Sequence, residues 1–99
     1  MRMGTPSNYV LGQSVHEQER LMLQGRILRP FTERFFRAAG VVTGMRVLDL
    51  GSGVGDVTLL AADIVGPGGR VIGLDRDAKG LERARQRTVE QGCSSWVSL

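Results

Sequence analysis

Cysteine is nearly absent, with Cys93 alone in 99 residues. That excludes an internal disulfide framework and a thiolate cluster for zinc, and it fits a reducing cytosol. Histidine is as scarce: His16 has no partner at metal-ligand spacing and reads as an exposed residue in a polar helix. No stretch approaches the roughly 18 apolar residues of a membrane span, and the first residues lack a signal-type apolar run. There is no internal repeat and no low-complexity tract. The expectation is a cytoplasmic protein with no membrane partner. With 41% hydrophobic and 23% charged residues, the composition is far from that of disordered chains, so one small folded domain is possible. The net charge of +3 is unevenly placed: residues 1–45 hold six Arg against three acids, and the charges of the remainder cancel. An anionic partner would suit such an excess. However, solvated helix faces account for Arg20, Arg26, Arg29, Arg34 and Arg37, and without interleaved aromatics nucleic acid is not expected.

Residues 1–13 mix Gly4, Pro6, Asn8 and Gly12 with few apolar groups and read as an irregular arm in which Tyr9 and Val10 could dock. Ser14 and Glu17 have the spacing of a capping box, which predicts a helix over 15–28. Pro30 should end it, because proline disfavours helix at Arg29 and donates no N–H. A second helix then carries Phe31, Phe35 and Ala38 on one face, and Gly40 closes it. Phe31, Phe35 and Phe36 are expected in the core. From Met45 the periodicity changes. Val47, Leu48 and Leu50 predict a buried strand, and Val57, Leu60, Ala61 and Ile64 a helix packed on a sheet. Val71, Ile72 and Leu74 predict a second strand ending at Asp75. Asp77 caps a helix with Leu81, Ala84, Thr88 and Val89 inward, and Gly92 ends it. Trp96, Val97 and Leu99 could begin a third strand. Strands alternating with helices imply a parallel sheet, so the fold class is α/β. The organisation is an arm (1–13), N-terminal helices (14–40) and an α/β part (41–99).

The chemistry is concentrated in Val47-Leu48-Asp49-Leu50-Gly51-Ser52-Gly53-Val54-Gly55-Asp56, a strand running through a glycine-rich turn into a helix. Glycine permits unusual backbone angles and lets a ligand lie against the main chain. The turn stands outside the carboxyl end of a parallel strand, where open α/β sheets bind ligands. Asp75 ends the next strand, its carboxylate free to accept two hydrogen bonds from a ribose diol. Together these predict a nucleoside site. The dinucleotide fingerprint needs a third glycine where Asp56 stands, and Asp49 at the strand tip would repel a pyrophosphate. S-adenosylmethionine carries an ammonium and a sulfonium and no phosphate, so the same acid attracts it.

The run VLDLGSGVGD, with RVIGLDRD supplying the acidic end of the second strand, resembles the N-terminal part of the Rossmann-like, S-adenosylmethionine-dependent methyltransferases over roughly residues 8 to 92. The resemblance implies that Asp49 holds the methionine amino group, that Gly51, Ser52, Gly53 and Gly55 line the methionine and ribose, and that Asp75 binds the ribose hydroxyls. The helix over 15–28 resembles an N-terminal element that folds over the cofactor, from which Arg20 and Gln24 reach the methionine carboxylate. Arg76 follows Asp75 where the family often has an apolar residue against the adenine; it could stack by its guanidinium plane or point into water. The family continues through further strands, so the resemblance implies a Rossmann-like sheet truncated after two or three strands. It also implies a small-molecule methyl acceptor, with any catalytic group outside these residues. A nicotinamide-dependent oxidoreductase fragment and a noncatalytic nucleoside-binding module are the alternatives. Asp56 reads as a helix-dipole residue, Cys93 as inert and Trp96 as packing. The 99 residues alone are expected to be partly unfolded or self-associating, and without turnover.

Overall fold

The computed structural model describes residues 15–99. The arm and Ser14 of the predicted capping box lie outside the described residues. Helix α1 (Val15–Ala38) leads through a turn to β1 (Arg46–Leu50), α2 (Asp56–Val65), β2 (Arg70–Leu74) and α3 (Ala78–Glu90). A single 3-10 turn (Ser94–Trp96) then enters the short strand β3 (Val97–Ser98). The three strands form a parallel sheet in the order β1-β2-β3. Arg46 pairs with Arg70 and Leu50 with Leu74 in register, so β1 and β2 end level with one another. The α/β class and the third strand are as the alternation of patterns implied.

The core lies between the sheet and α2. Leu59, Ala61, Ala62, Val65, Val71 and Cys93 form one buried cluster, against which Phe36, Val41, Val47, Trp96 and Val97 pack. Trp96 also donates its indole N–H to the Ala62 carbonyl at 2.9 Å, which ties β3 to α2. Burial pushes the Cys93 thiol above its ordinary range, so the thiolate is disfavoured.

Five expectations need correction. The two helices predicted before and after Pro30 are one helix of 24 residues with the proline inside. Proline removes a single helical hydrogen bond, and one stripe of α1 packs on α2, a tertiary gain that outweighs the local break. Phe31 and Phe35 are exposed, because a continuous helix turns them away from α2; Arg34 lies over the Phe31 ring at 5.0 Å, and only Phe36 reaches the core. On α2 Leu60, Ala61 and Ile64 are buried as expected, but Val57 is exposed, and Thr58, Leu59, Ala62 and Val65 are buried as well, since α1 covers part of that helix's outer side. On α3 Ala84 and Thr88 point inward as expected, but Val89 is exposed. The strands are half-buried rather than fully buried: Val47 and Val71 face α2, whereas Leu48, Leu50, Ile72 and Leu74 face out from the other side of the sheet.

Candidate cofactor site

The site is the turn between β1 and α2, and backbone geometry sets its shape. Gly51, Gly53 and Gly55 all have positive φ (74°, 55° and 94°), a region that side-chain-bearing residues rarely adopt. A Cβ built on Gly51 or Gly53 would meet nothing within 4 Å, so at these two positions the conformation, not crowding, requires glycine, and the main chain lies open to a ligand. The N–H groups of Gly51 and Ser52 both donate to the Leu74 carbonyl, at 2.7 and 2.9 Å, which carries the sheet's pairing into the turn. Gly55 donates to the Ser52 carbonyl at 2.9 Å and precedes the first turn of α2.

Asp75 fastens this turn from the neighbouring strand. Its Oδ2 accepts from the Gly53 N–H and its Oδ1 from the Asp77 N–H, each at 2.8 Å. The carboxylate is therefore not free, as the sequence reading supposed. Each oxygen keeps acceptor capacity beyond that single bond, so Asp75 both holds the loop and lines the cavity beside it. Asp49 accepts from the Thr58 hydroxyl at 2.6 Å through Oδ2 and also lines the cavity. Thr58 is fully buried on α2, and no feature of the sequence marked it as the partner. Asp77 caps α3 by accepting from the Lys79 N–H at 3.2 Å, the structural role expected of it.

The loop and α1 flank an open cleft of about 730 Å³, within the usual range of small-ligand sites. Gly51, Ser52, Gly53 and Val54 form one wall together with Asp49, Asp56 and Asp75. Leu21, Gln24, Gly25, Leu28, Arg29 and Thr32 of α1 form the other. Their spacing of three and four residues places them on one stripe of the helix. Gln24 is thus at the cavity, and Arg26 and Arg29 line it too. Arg20 is exposed, binds Glu17 one turn earlier and is not among the cavity-lining residues; it lies one turn before Gln24, beyond the end of the cavity. Arg76 is exposed and also outside the lining residues, and Gly55 is buried behind the loop. Arg87 of α3 was not anticipated. It reaches the cavity and pairs with Asp56 at 3.0 Å, 31 residues away in sequence, where periodicity carries no information.

Electrostatically the walls differ in sign. The loop side presents the carboxylates of Asp49 and Asp75 beside the Asp56–Arg87 ion pair, the α1 side two guanidinium groups, an arrangement suited to a ligand carrying both charges. The Ser52 hydroxyl, in the cavity wall, is buried with no hydrogen-bond partner among the described residues. Such a group costs about 1–3 kcal/mol unless something satisfies it. An open glycine cradle, an orphaned hydroxyl and carboxylates at both strand tips fit a nucleoside joined to a cationic amino acid. No cluster of His, Cys, Asp and Glu among the described residues could hold a metal ion.

Residues 42–97 match the model of a methyltransferase domain. The chain belongs to that family. It is 37% identical over 78 residues to the ubiquinone/menaquinone biosynthesis C-methyltransferase of Pseudomonas savastanoi pv. phaseolicola, a match covering 79% of this chain and 30% of the relative. Among solved structures, TrmN from Thermus thermophilus superposes with a TM-score of 0.62 at 37% identity, over 68% of this chain and 20% of that one. An RNA methyltransferase from Salinibacter ruber in complex with S-adenosyl-L-homocysteine gives 0.61 at 30% identity, over 70% and 44%. These confirm the Rossmann-like fold. The chain spans about 30% of the length of the curated relatives it matches.

Proposed function

We propose that this chain is the cofactor-binding part of an S-adenosylmethionine-dependent methyltransferase, and that the cavity between the glycine loop and α1 holds S-adenosylmethionine. The observation that carries the reading is the pair of strand-tip carboxylates flanking the open backbone of Gly51 and Gly53. Asp49 would meet the ammonium of the methionine part, Asp75 the ribose hydroxyls through the lone pairs its backbone bonds leave, and the Ser52 hydroxyl would gain the partner it lacks. From α1, Gln24 and Arg29 replace Arg20 as the groups nearest the methionine carboxylate. When bound, the cofactor supplies a methyl carbon already activated by the sulfonium. The residues described here orient it and shield it from water.

The acceptor we propose is a small molecule, following the C-methyltransferase relative. RNA is the competing acceptor, since an RNA methyltransferase is among the similar structures. Within α1, however, Arg20 and Arg37 pair with Glu17 and Glu33, and Arg29 pairs with Asp63 of α2, which leaves a poor track for phosphates. No helix among the described residues is long and apolar enough to cross a membrane. A cytoplasmic location is proposed from the unpaired, buried Cys93. Calorimetry with S-adenosylmethionine, S-adenosylhomocysteine and NAD tests the cofactor assignment. Heat of binding with the first two and none with NAD is expected; tighter binding of NAD would overturn it. Salt-sensitive RNA binding would transfer the acceptor to nucleic acid.

A further inference from the structure

Helix α1 roofs the cavity, packed on α2 and anchored near its end by Phe36 in the core, with little polar contact to hold its middle. Its ion pair to α2, Arg29 with Asp63, is 3.3 Å long with both side chains well exposed, a kind of contact that contributes little. Leu23, Ile27, Phe31 and Phe35 are exposed, uncovered by the other described residues. The close approach is at Gly25. A Cβ there would stand 2.5 and 2.6 Å from the two carboxylate oxygens of Asp56, so α1 rests its bare backbone directly on that side chain.

Asp56 cannot easily yield. Arg87 holds its Oδ1 at 3.0 Å with Nη2, while Nη1 donates to the Val54 carbonyl at 2.8 Å. The Arg87 and Asp56 side chains are only 14% and 26% exposed, so solvent screens the pair weakly. One guanidinium thus ties the glycine loop, the first turn of α2 and α3 together, and the carboxylate it fixes is the surface on which Gly25 sits. Gly25, Asp56 and Arg87 all line the cavity.

We infer that Gly25, Asp56 and Arg87 form a clamp that seats α1 over the cavity, so that docking of α1 and retention of the cofactor are one coupled equilibrium. The coupling rests on the cavity being the S-adenosylmethionine site; the clamp itself does not. By linkage, whatever loosens α1 weakens the cofactor by the same factor, and the cofactor in turn protects α1. Asp56 and Arg87 are positioning residues, acting through α1.

Hydrogen exchange of the α1 amides in the full chain, with and without S-adenosylmethionine, reads the clamp, and calorimetry reads the coupling. In an unobstructed helix Gly25→Ala strengthens the helix. Here it is expected to raise α1 exchange and weaken S-adenosylmethionine, each by about tenfold, with the exchange of β1 and α2 unchanged. Asp56→Ala should loosen α1 less. In the double variant Gly25→Ala with Asp56→Ala the colliding atoms are gone, so α1 protection should recover relative to Gly25→Ala alone, which no general loss of stability predicts. Unchanged or stronger α1 protection in Gly25→Ala, or a double variant no better than the single one, would overturn the clamp. Should Gly25→Ala fail to fold, Arg87→Gln must loosen α1 selectively, with Arg87→Lys partly restoring it; if α1 stays protected in both, the clamp is rejected. If the unaltered chain binds no S-adenosylmethionine, the functional reading fails, while exchange without ligand still decides the clamp.

Discussion

On one face of the sheet Val71 is fully buried beneath α2; on the other, Leu48, Leu50, Ile72 and Leu74 of the same two strands are 58%, 72%, 41% and 50% exposed. The covered face is closed by α2, the helix that follows β1 through a short loop and packs on both β1 and β2. The exposed face has none among the described residues. The glycine loop belongs to the covered side: Asp49 is anchored by Thr58 of α2, and the turn begins the helix that packs there. A half-covered sheet therefore suffices to build the site, although it does not suffice to hide the apolar surface of the strands.

The largest expected effect breaks the covered side. Leu59→Ala removes a side chain that is 2% exposed and should cost about 2–5 kcal/mol by urea denaturation, a large share of any small domain's stability. Leu50→Ala, on the open side, should change it by no more than about 0.5 kcal/mol. Equal losses would mean that the open face is buried in solution. Next in size is Asp75→Ala. It removes a proposed ribose contact and the tether of the Gly53 N–H, and S-adenosylmethionine binding should weaken by about 1–3 kcal/mol in calorimetry. Unchanged affinity in a folded variant would confine Asp75 to a structural role. A third test concerns association. The uncovered leucines and the free edge of β1 should make the chain self-associate in sedimentation, and Leu48→Lys with Leu50→Lys should reduce this without changing cofactor affinity. A monomer with a sharp, cooperative melt before any substitution would refute it.

The parts of this architecture that were legible in the sequence are those set by neighbours. The GxGxG turn, Asp49, Asp75, the Asp77 cap and the positive-φ Gly40 and Gly92 each follow from residues a few positions apart. What escaped is set by distant contact. Pro30 argues locally for two helices, and only the packing of α1 on α2 keeps one. The exposure of Phe31 and Phe35 follows from that continuity. Asp56 looked like a dipole residue because its partner Arg87 lies on another helix, and Arg20 falls outside the cavity lining because a motif does not say how far along a helix the cavity extends.

The smallest expected effect separates the edge of α1 from the site it roofs. The Arg20 guanidinium, hydrogen-bonded to Glu17, holds that carboxyl below its ordinary range, more than the opposing effect of burial raises it. A folded-state value lower than the unfolded one stabilises the folded form above the unfolded value, and the contribution is lost as pH falls through the folded one. The pair lies on the outer surface of α1, with Glu17 half-buried and Arg20 exposed, so the effect should be slight and weakened by salt. From about pH 4.5 downward, the first turns of α1 should exchange their amides faster, while the helix around Gly25, held by Asp56 and Arg87, follows only at lower pH. Simultaneous loosening of both ends would show that α1 docks as a single rigid unit whose seat is not localised at Gly25.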